Sequence, residues 1–300
     1  MTKCLSKEAS TELLATKAKK FFHGIRNENI ILQVHGGVFH SDDVALVALF
    51  KALGVKVHVI RDFKINPNSN IIADVGMQYN LSGEQKYFDH HQDLPLRADG
   101  TKPSALGLVA DWLLEGSYRV ALDRFITPIE RLDNGEELRK GEVNYFAFVA
   151  HFNKCWNEEA SQNALFDTAV EIAVKVWERI FAEVNAETEA VIVVADAIAN
   201  AKNGFAVLSK GGMPWQALVV KYNEEHEEKI LRVGYMDNFR GQFNVQAVPD
   251  KLGSKGMLQA LPEQWLGEDK PEGLIFCHQA RFLAAFSDEE SARKALAAEA

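Results

Sequence analysis

Seven side chains within residues 35–91 are of the types that hold divalent cations. His35, His40 and Asp42 form an H-x4-H-x-D pattern, Asp74 follows about thirty residues on, and Asp89, His90 and His91 make a D-H-H tripeptide. Carboxylate oxygen with imidazole nitrogen and no thiolate suits Mn2+ or Mg2+, with Zn2+, Fe2+ and Co2+ open. Two such ions roughly 3.5–4 Å apart hold a bridging hydroxide at neutral pH and clamp a phosphoryl oxygen. A single carboxylate is the natural bridge between them. Without a cation, so many clustered anionic groups would be electrostatically strained. Each residue alone has a plainer reading: Asp42 as a helix N-cap, Asp74 as a strand-end turn residue. Isolated histidines such as His58, His23, His151 and His226 read as structural. The combined spacing outweighs the plain readings for the set.

Loops at strand ends must bring these residues together. Residues 30–35 (IILQVH) read as a buried strand and 44–53 (VALVALFKAL) as a buried helix; 55–60 (VKVHVI), 71–75 (IIADV) and 86–88 are further strands. Short apolar runs between helices suggest parallel strands covered on both faces. In open sheets of this kind ligands bind beyond the carboxyl ends of the strands, where all three groups fall. Arg61 closes the second strand and is a candidate for a substrate phosphate; neutralisation by Asp62 is the alternative. Helical patterns follow at 104–116 and 119–132, with a turn at 134–136. Residues 142–200 have almost no Gly or Pro and read as mostly helical, with Ile172, Val176 and Ile180 on one stripe. Beyond Gly204, FAVL, ALVVKY, KILRVGY, QFNVQAV and LIFCH read as strands of a smaller sheet. EEHEEK (224–229) reads as a solvated hairpin turn, and 287–298 as a closing helix.

A chain of 300 residues is long enough for two domains. Its net charge of −9 argues against wrapping long duplex nucleic acid by bulk attraction. A short or small phosphorylated ligand in a local metal-rich site remains compatible. Cys4, Cys155 and Cys277 are odd in number and far apart, which argues against a disulfide framework or a zinc knuckle. Residues 1–28 lack the apolar stretch of a signal peptide, and Glu8 and Glu12 count against a transit peptide. No apolar run reaches the ~18 residues of a membrane span, so a cytoplasmic location is expected.

The segments VHGGVFHSDDVALVALFKAL (34–53), ADVGMQYN (73–80), KYFDHHQ (86–92) and LDNGE (132–136) carry a resemblance. LPEQWLG (261–267) and IFCHQARFLAA (275–285) carry it more loosely. The chain resembles the DHH phosphoesterase superfamily and, more closely, the Myg (melanocyte-proliferating-gene) family of metal-dependent hydrolases. The resemblance spans about residues 30–286. It implies that His35, His40, Asp42, Asp74, His90 and Asp133 are metal ligands, with Asp74 bridging. His40 stands where the wider superfamily usually has an Asp. Asp133 on its own terms is a helix-ending Asp-Asn-Gly turn, so its place in the site rests on the resemblance. His91 is the candidate general acid, with Asp89 beside or behind His90 in the catalytic group. Two adjacent histidines on an extended backbone point to opposite sides, which suits a division into ligand and acid. His278 and Arg281 are the implied substrate contacts of the second lobe. Where Myg relatives carry a Gly pair, this chain has Ala284 and Ala285, which leaves the substrate loop open. Trp156 and Trp215 are candidates for stacking on a base, against core packing as the commoner use of tryptophan. Gly211 and Gly212 before Pro214 and Trp215 form either a recognition loop or a plain turn.

The expected fold is α/β. A helical extension (1–29) precedes a parallel-sheet, DHH-type catalytic lobe with a helical connector (30–186), and a smaller α+β substrate-binding lobe follows (187–300), joined by long helices. The expected activity is metal-dependent hydrolysis of phosphodiesters, as a 3′–5′ exonuclease on RNA or short oligonucleotides. Two divalent cations serve it, Mn2+ foremost. A small-molecule phosphatase or pyrophosphatase, and a non-catalytic metal-dependent binding protein, are the alternatives. No membrane and no long duplex are expected as partners, and homo-oligomerisation is left open.

Overall fold

The computed structural model describes residues 12–25, 30–268 and 270–298. Of the expected N-terminal extension, residues 1–11 and 26–29 lie outside the described residues, and α1 (Thr16–Gly24) buries Ala18 and Phe22. The chain divides into two compact units, one ending at Val184 and the other beginning at Asn185.

The first unit is an α/β layer structure. Its sheet contains β1 (Ile30–Val34), β2 (Val57–Arg61), β3 (Ile71–Ala73), β4 (Tyr79–Asn80) and β5 (Lys86–Phe88) in the order β2-β1-β3-β5-β4. All neighbours pair parallel except the edge strand β4, which is antiparallel to β5. The interior strand β1 is apolar but for Gln33, which is fully buried. Its amide donates to the Asp62 and Lys64 carbonyls and accepts from Asn66 N and Ser69 Oγ. One buried side chain thus ties the 62–69 loop to the sheet with every polar atom satisfied.

Helix α2 (Ser41–Ala52) is buried on nearly every side, as its run of Val, Ala, Leu and Phe requires. The fully buried Trp177 donates its indole N–H to the Ala45 carbonyl of this helix at 2.8 Å. Helices α3 (Ala105–Leu113) and α4 (Gly116–Asp133) follow. They meet at Gly107, where a Cβ would lie 1.6 Å from Glu130 Oε1. Only glycine admits the buried Glu130 carboxylate, which pairs with Arg97.

Helix α5 (Gln162–Ala199) is 38 residues long and passes from the first unit into the second. The expected helicity of 142–161 is absent: that stretch holds a 3-10 turn at Ala147–Phe152 and otherwise irregular backbone. Avoiding Gly and Pro permits a helix without requiring one. The expected stripe holds in part. Ile180 is buried and Val176 packs half-buried against the core, but Ile172 is 40% exposed, and Phe166, Ala169, Val170, Ala173 and Trp177 complete the buried face.

The second unit has a mixed sheet of β6 (Phe205–Val207), β7 (Arg232–Met236), β8 (Phe243–Ala247), β9 (Leu274–Cys277) and β10 (Leu283–Phe286), ordered β6-β7-β8-β10-β9. Only β6 and β7 are parallel. ALVVKY is not a strand but the body of α6 (Gln216–Glu225), and EEHEEK is the exposed last two residues of that helix and the loop from it to β7 rather than a hairpin turn. A short apolar run cannot be told from a buried helix segment by periodicity. Strand β10 was not anticipated; Ala284 and Ala285 are buried in it. Helix α7 (Glu289–Ala297) ends the described chain, with Asp288 Oδ1 accepting from Ser291 N as its cap. Cys155 and Cys277 are free thiols. Among the described residues no helix is long and apolar enough to cross a membrane.

Candidate metal centre

Adjacent parallel strands deliver most of the centre. His35 follows β1, Asp74 follows β3, and Asp89, His90 and His91 follow β5, so one sheet edge receives all five. Helix α2 starts beyond the same edge, with His40 as its N-cap and Asp42 and Asp43 in its first turn, and Asp133 is the last residue of α4. Asp74 has a left-handed backbone (φ 55), which short polar residues tolerate better than most.

Asp74 lies between two sets of donors. Its Oδ2 is 3.3 Å from His35 Nε2, which is 2.8 Å from Asp43 Oδ2. Its Oδ1 is 3.1 Å from His90 Nε2, which is 3.0 Å from Asp133 Oδ2. Ligating atoms of His35, His40, Asp43 and Asp74 all lie within 4.8 Å of one another; the same holds for Asp74, His90 and His91, and for His40, Asp42 and Asp133. The cavity here is about 440 Å3, and Phe63 and Met77 join the histidines in lining it.

The electrostatics fit divalent cations. Asp42 Oδ2 and Asp43 Oδ1 are buried without a hydrogen-bond partner, and the buried Asp74 Oδ1 and Asp133 Oδ2 share the single His90 Nε2 between them. Burial, reinforced by the charges of Asp133, Asp43 and Asp74, holds the Asp42 carboxyl well above the usual carboxylate range. Burial also raises Asp74, against the hydrogen bond from His90. Burial opposes protonation of His35, yet the hydrogen bond and charge of Asp43 push it up to about 9. His90, likewise opposed by burial, is pushed up to about 10 by hydrogen bonds to Asp133 and Asp74. Several carboxylates converging on two imidazoles are a set that positive charge stabilises, whether carried by protons or by metal ions.

Asp89 belongs to none of these donor groups and organises the loop after β5. Its Oδ2 accepts from Met77 N at 2.6 Å, and its Oδ1 accepts from His91 N at 3.0 Å and lies 2.7 Å from His91 Nδ1. The carboxylate is nearly inaccessible; burial would raise its pKa, but these bonds hold it below the usual range. His91 is half exposed, with its Nδ1 taken by Asp89.

Three expectations change. Asp43, not singled out from the sequence, is the carboxylate beside His35; Asp42 instead falls with His40 and Asp133. The adjacent Asp-Asp pair was the available signal, since residues one apart on a helix point about 100° apart. Asp42 is not the N-cap either: His40 holds that position, and Asp43 Oδ2 accepts its N–H at 3.0 Å. His90 and His91 do not point to opposite sides. Their ring centroids are 4.5 Å apart and both approach Asp74, because the backbone bends at His91 instead of staying extended.

The family model MYG1_exonuc, described as an uncharacterised protein family (UPF0160), matches residues 31–113 and 111–300. The chain belongs to this family. The MYG1 exonuclease of Mus musculus is 27% identical over 312 residues, covering 86% of this chain and 81% of that protein. The MYG1 protein of Dictyostelium discoideum is 24% identical, covering 88% and 94%. Among solved structures, RecJ from Thermus thermophilus in complex with Mn2+ is 15% identical at a TM-score of 0.28, covering 99% of this chain and 54% of that one. The pGpG-specific phosphodiesterase PggH from Vibrio cholerae is 12% identical at 0.29, covering 89% and 98%. As a member of a family whose named relatives include exonucleases, the chain is a hydrolase.

The remaining candidates of this MYG1-family chain fall elsewhere. Arg61 donates to the Gly37 carbonyl at 2.7 Å and to Asn163 Oδ1 at 2.9 Å, with its guanidinium over the Phe166 and Phe39 rings. It thereby ties the 36–40 loop to the start of α5. His278 and Arg281 lie in the second unit, between β9 and β10; His278 Nδ1 accepts from Ala280 N, and Arg281 donates to the Leu261 carbonyl. Trp215 is buried in the core of the second unit, whereas Trp156 is 96% exposed.

Proposed function

We propose that the chain hydrolyses phosphodiesters with two divalent cations, Mn2+ foremost, and acts as a 3′–5′ exonuclease on RNA or short oligonucleotides. One observation carries this reading: the two oxygens of Asp74 face two different donor sets. His35, His40 and Asp43 would hold one ion, His90, Asp42 and Asp133 the other, with Asp74 shared. Such a pair of ions, when bound, activates water at neutral pH and neutralises charge on the phosphoryl group.

The side chains do the rest. Asp89 fixes His91 through Nδ1, which leaves Nε2 as the atom that delivers a proton to the leaving oxygen. A carboxylate at Nδ1 sets the direction of the ring for this role. Arg61 holds the loop that carries His40. Exposed Phe63 and Met77 on the cavity wall give a sugar or base an apolar surface. The acidic chain suits short substrates better than long duplex.

Incubation with Mn2+ and 5′-labelled RNA oligomers tests the reading. A ladder of shortened labelled products is expected. Phosphate release from pyrophosphate alone would replace the exonuclease with a small-molecule enzyme, and no turnover of any phosphorylated substrate would leave a binding protein.

A further inference from the structure

The second unit contains a cavity of about 380 Å3 lined by Lys202, Arg232, Arg281 and Arg293, and by no acidic side chain. That concentration of cations runs against a chain of net charge −9. Arg232, the first residue of β7, is 6% exposed. Its Nη atoms donate to the carbonyls of Leu231, Gln259 and Ala260 at 2.9, 2.7 and 2.9 Å. Its Nε is buried without a hydrogen-bond partner. Among the described residues Arg232 has no carboxylate partner, and burial alone pulls its pKa down to about 10. A cation held out of water without a counter-charge is costly, and the cavity beside it is where a ligand anion would supply one.

The other cations differ in how they are compensated. Lys202 has no ion pair among the described residues, while Arg293 pairs with Glu289 at 2.7 Å and Arg281 lies 3.7 Å from Glu263. Two positive charges, on Arg232 and Lys202, are therefore left unmatched at one cavity. Arg281 also has a left-handed backbone (φ 54), a strained conformation for a bulky side chain that collects at binding sites. Leu231, Leu261 and Leu296 supply an apolar wall. The size falls in the ~300–1,000 Å3 range of small-ligand sites.

We infer that this cavity binds an organic phosphomonoester of mononucleotide size, its phosphate held by Arg232, Lys202 and Arg293 and its organic body against the leucines. A phosphomonoester carries about −1.5 to −2 at neutral pH, which matches the two uncompensated cations. The planar guanidinium fork fits phosphate oxygens in pairs. All the residues belong to the second unit, so binding there can be read with the metal centre of the first unit emptied.

Equilibrium dialysis of the full chain against adenosine 5′-monophosphate, in EDTA to silence the metal centre, tests the inference. Saturable binding is expected, with adenosine unbound and inorganic phosphate weaker. Lys202→Gln and Arg293→Gln should each weaken binding about tenfold, the worth of one charged hydrogen bond. Arg232→Met should weaken it further; if that variant does not fold, the two surface variants still decide. His91→Ala should bind as the wild type does. Absence of saturable binding, unchanged affinity in both surface variants, inorganic phosphate binding as tightly as the nucleotide, or loss of binding in His91→Ala would each overturn the assignment.

Discussion

At the scale of single residues, the shared carboxylate makes the sharpest prediction. Asp74→Asn keeps the size and one acceptor oxygen but loses the charge that serves both donor sets, so turnover should vanish and bound metal should fall from about two ions. Near-normal activity in that variant would mean that Asp74 is not the bridge. Asp43→Asn separates two roles of one side chain. An amide oxygen can still accept the His40 N–H, so the fold should persist by circular dichroism while metal content drops. His91→Ala should lower turnover by about 10^2–10^4 with metal content retained; stoichiometric loss of metal would make it a ligand. Asp43 also marks where reading the residues stopped short. The pattern of His35, His40, Asp74 and D-H-H was legible because each residue type has few other reasons to sit at a strand end. The choice between Asp42 and Asp43 was not, because both occupy the first turn of α2 and only the angle between neighbouring helical positions separates them.

At the scale of elements, the strands and helices of the first unit follow from apolar runs of the right length, and their loops share one edge because parallel strands leave no other arrangement. The second unit was harder to read, for a physical reason: the apolar stretch of α6 is as short as the strands, and β10 is rich in alanine, which signals no strand. The position of α4, and with it Asp133, depends on a buried pair invisible in the sequence. Gly107→Ala would place a methyl group against Glu130 Oε1 and force apart the Arg97–Glu130 pair. Breaking a buried pair costs about 3–5 kcal/mol, so a large fall in melting temperature is expected, together with weaker metal binding. A wild-type melting curve for Gly107→Ala would show that α3 and α4 can separate at no cost.

For the molecule as a whole, the proton balance of the metal centre should appear in stability. His35 and His90 rise from 6.5 to about 9 and about 10, and Asp42 and Asp74 are raised as well. All four bind protons more tightly in the folded state than in the unfolded chain. The contribution of the histidines is therefore fully present below pH 6.5 and is lost as pH climbs through their folded values; the raised carboxyls act in the same direction from about pH 4 upward. In EDTA, thermal melts should show the site's contribution falling between pH 6.5 and about 10, relative to a variant lacking His35 and His90. With a divalent ion present the trend should reverse, because ligation requires those protons to leave. EDTA should also inactivate, and Mn2+ restore.

Helix α5 crosses the boundary between the two units without interruption. At 1.5 Å per residue it is about 57 Å of unbroken helix. A protease seeking a soft joint finds an ordered backbone there. Either half expressed alone would terminate in mid-helix, with severed amide ladders bared to solvent.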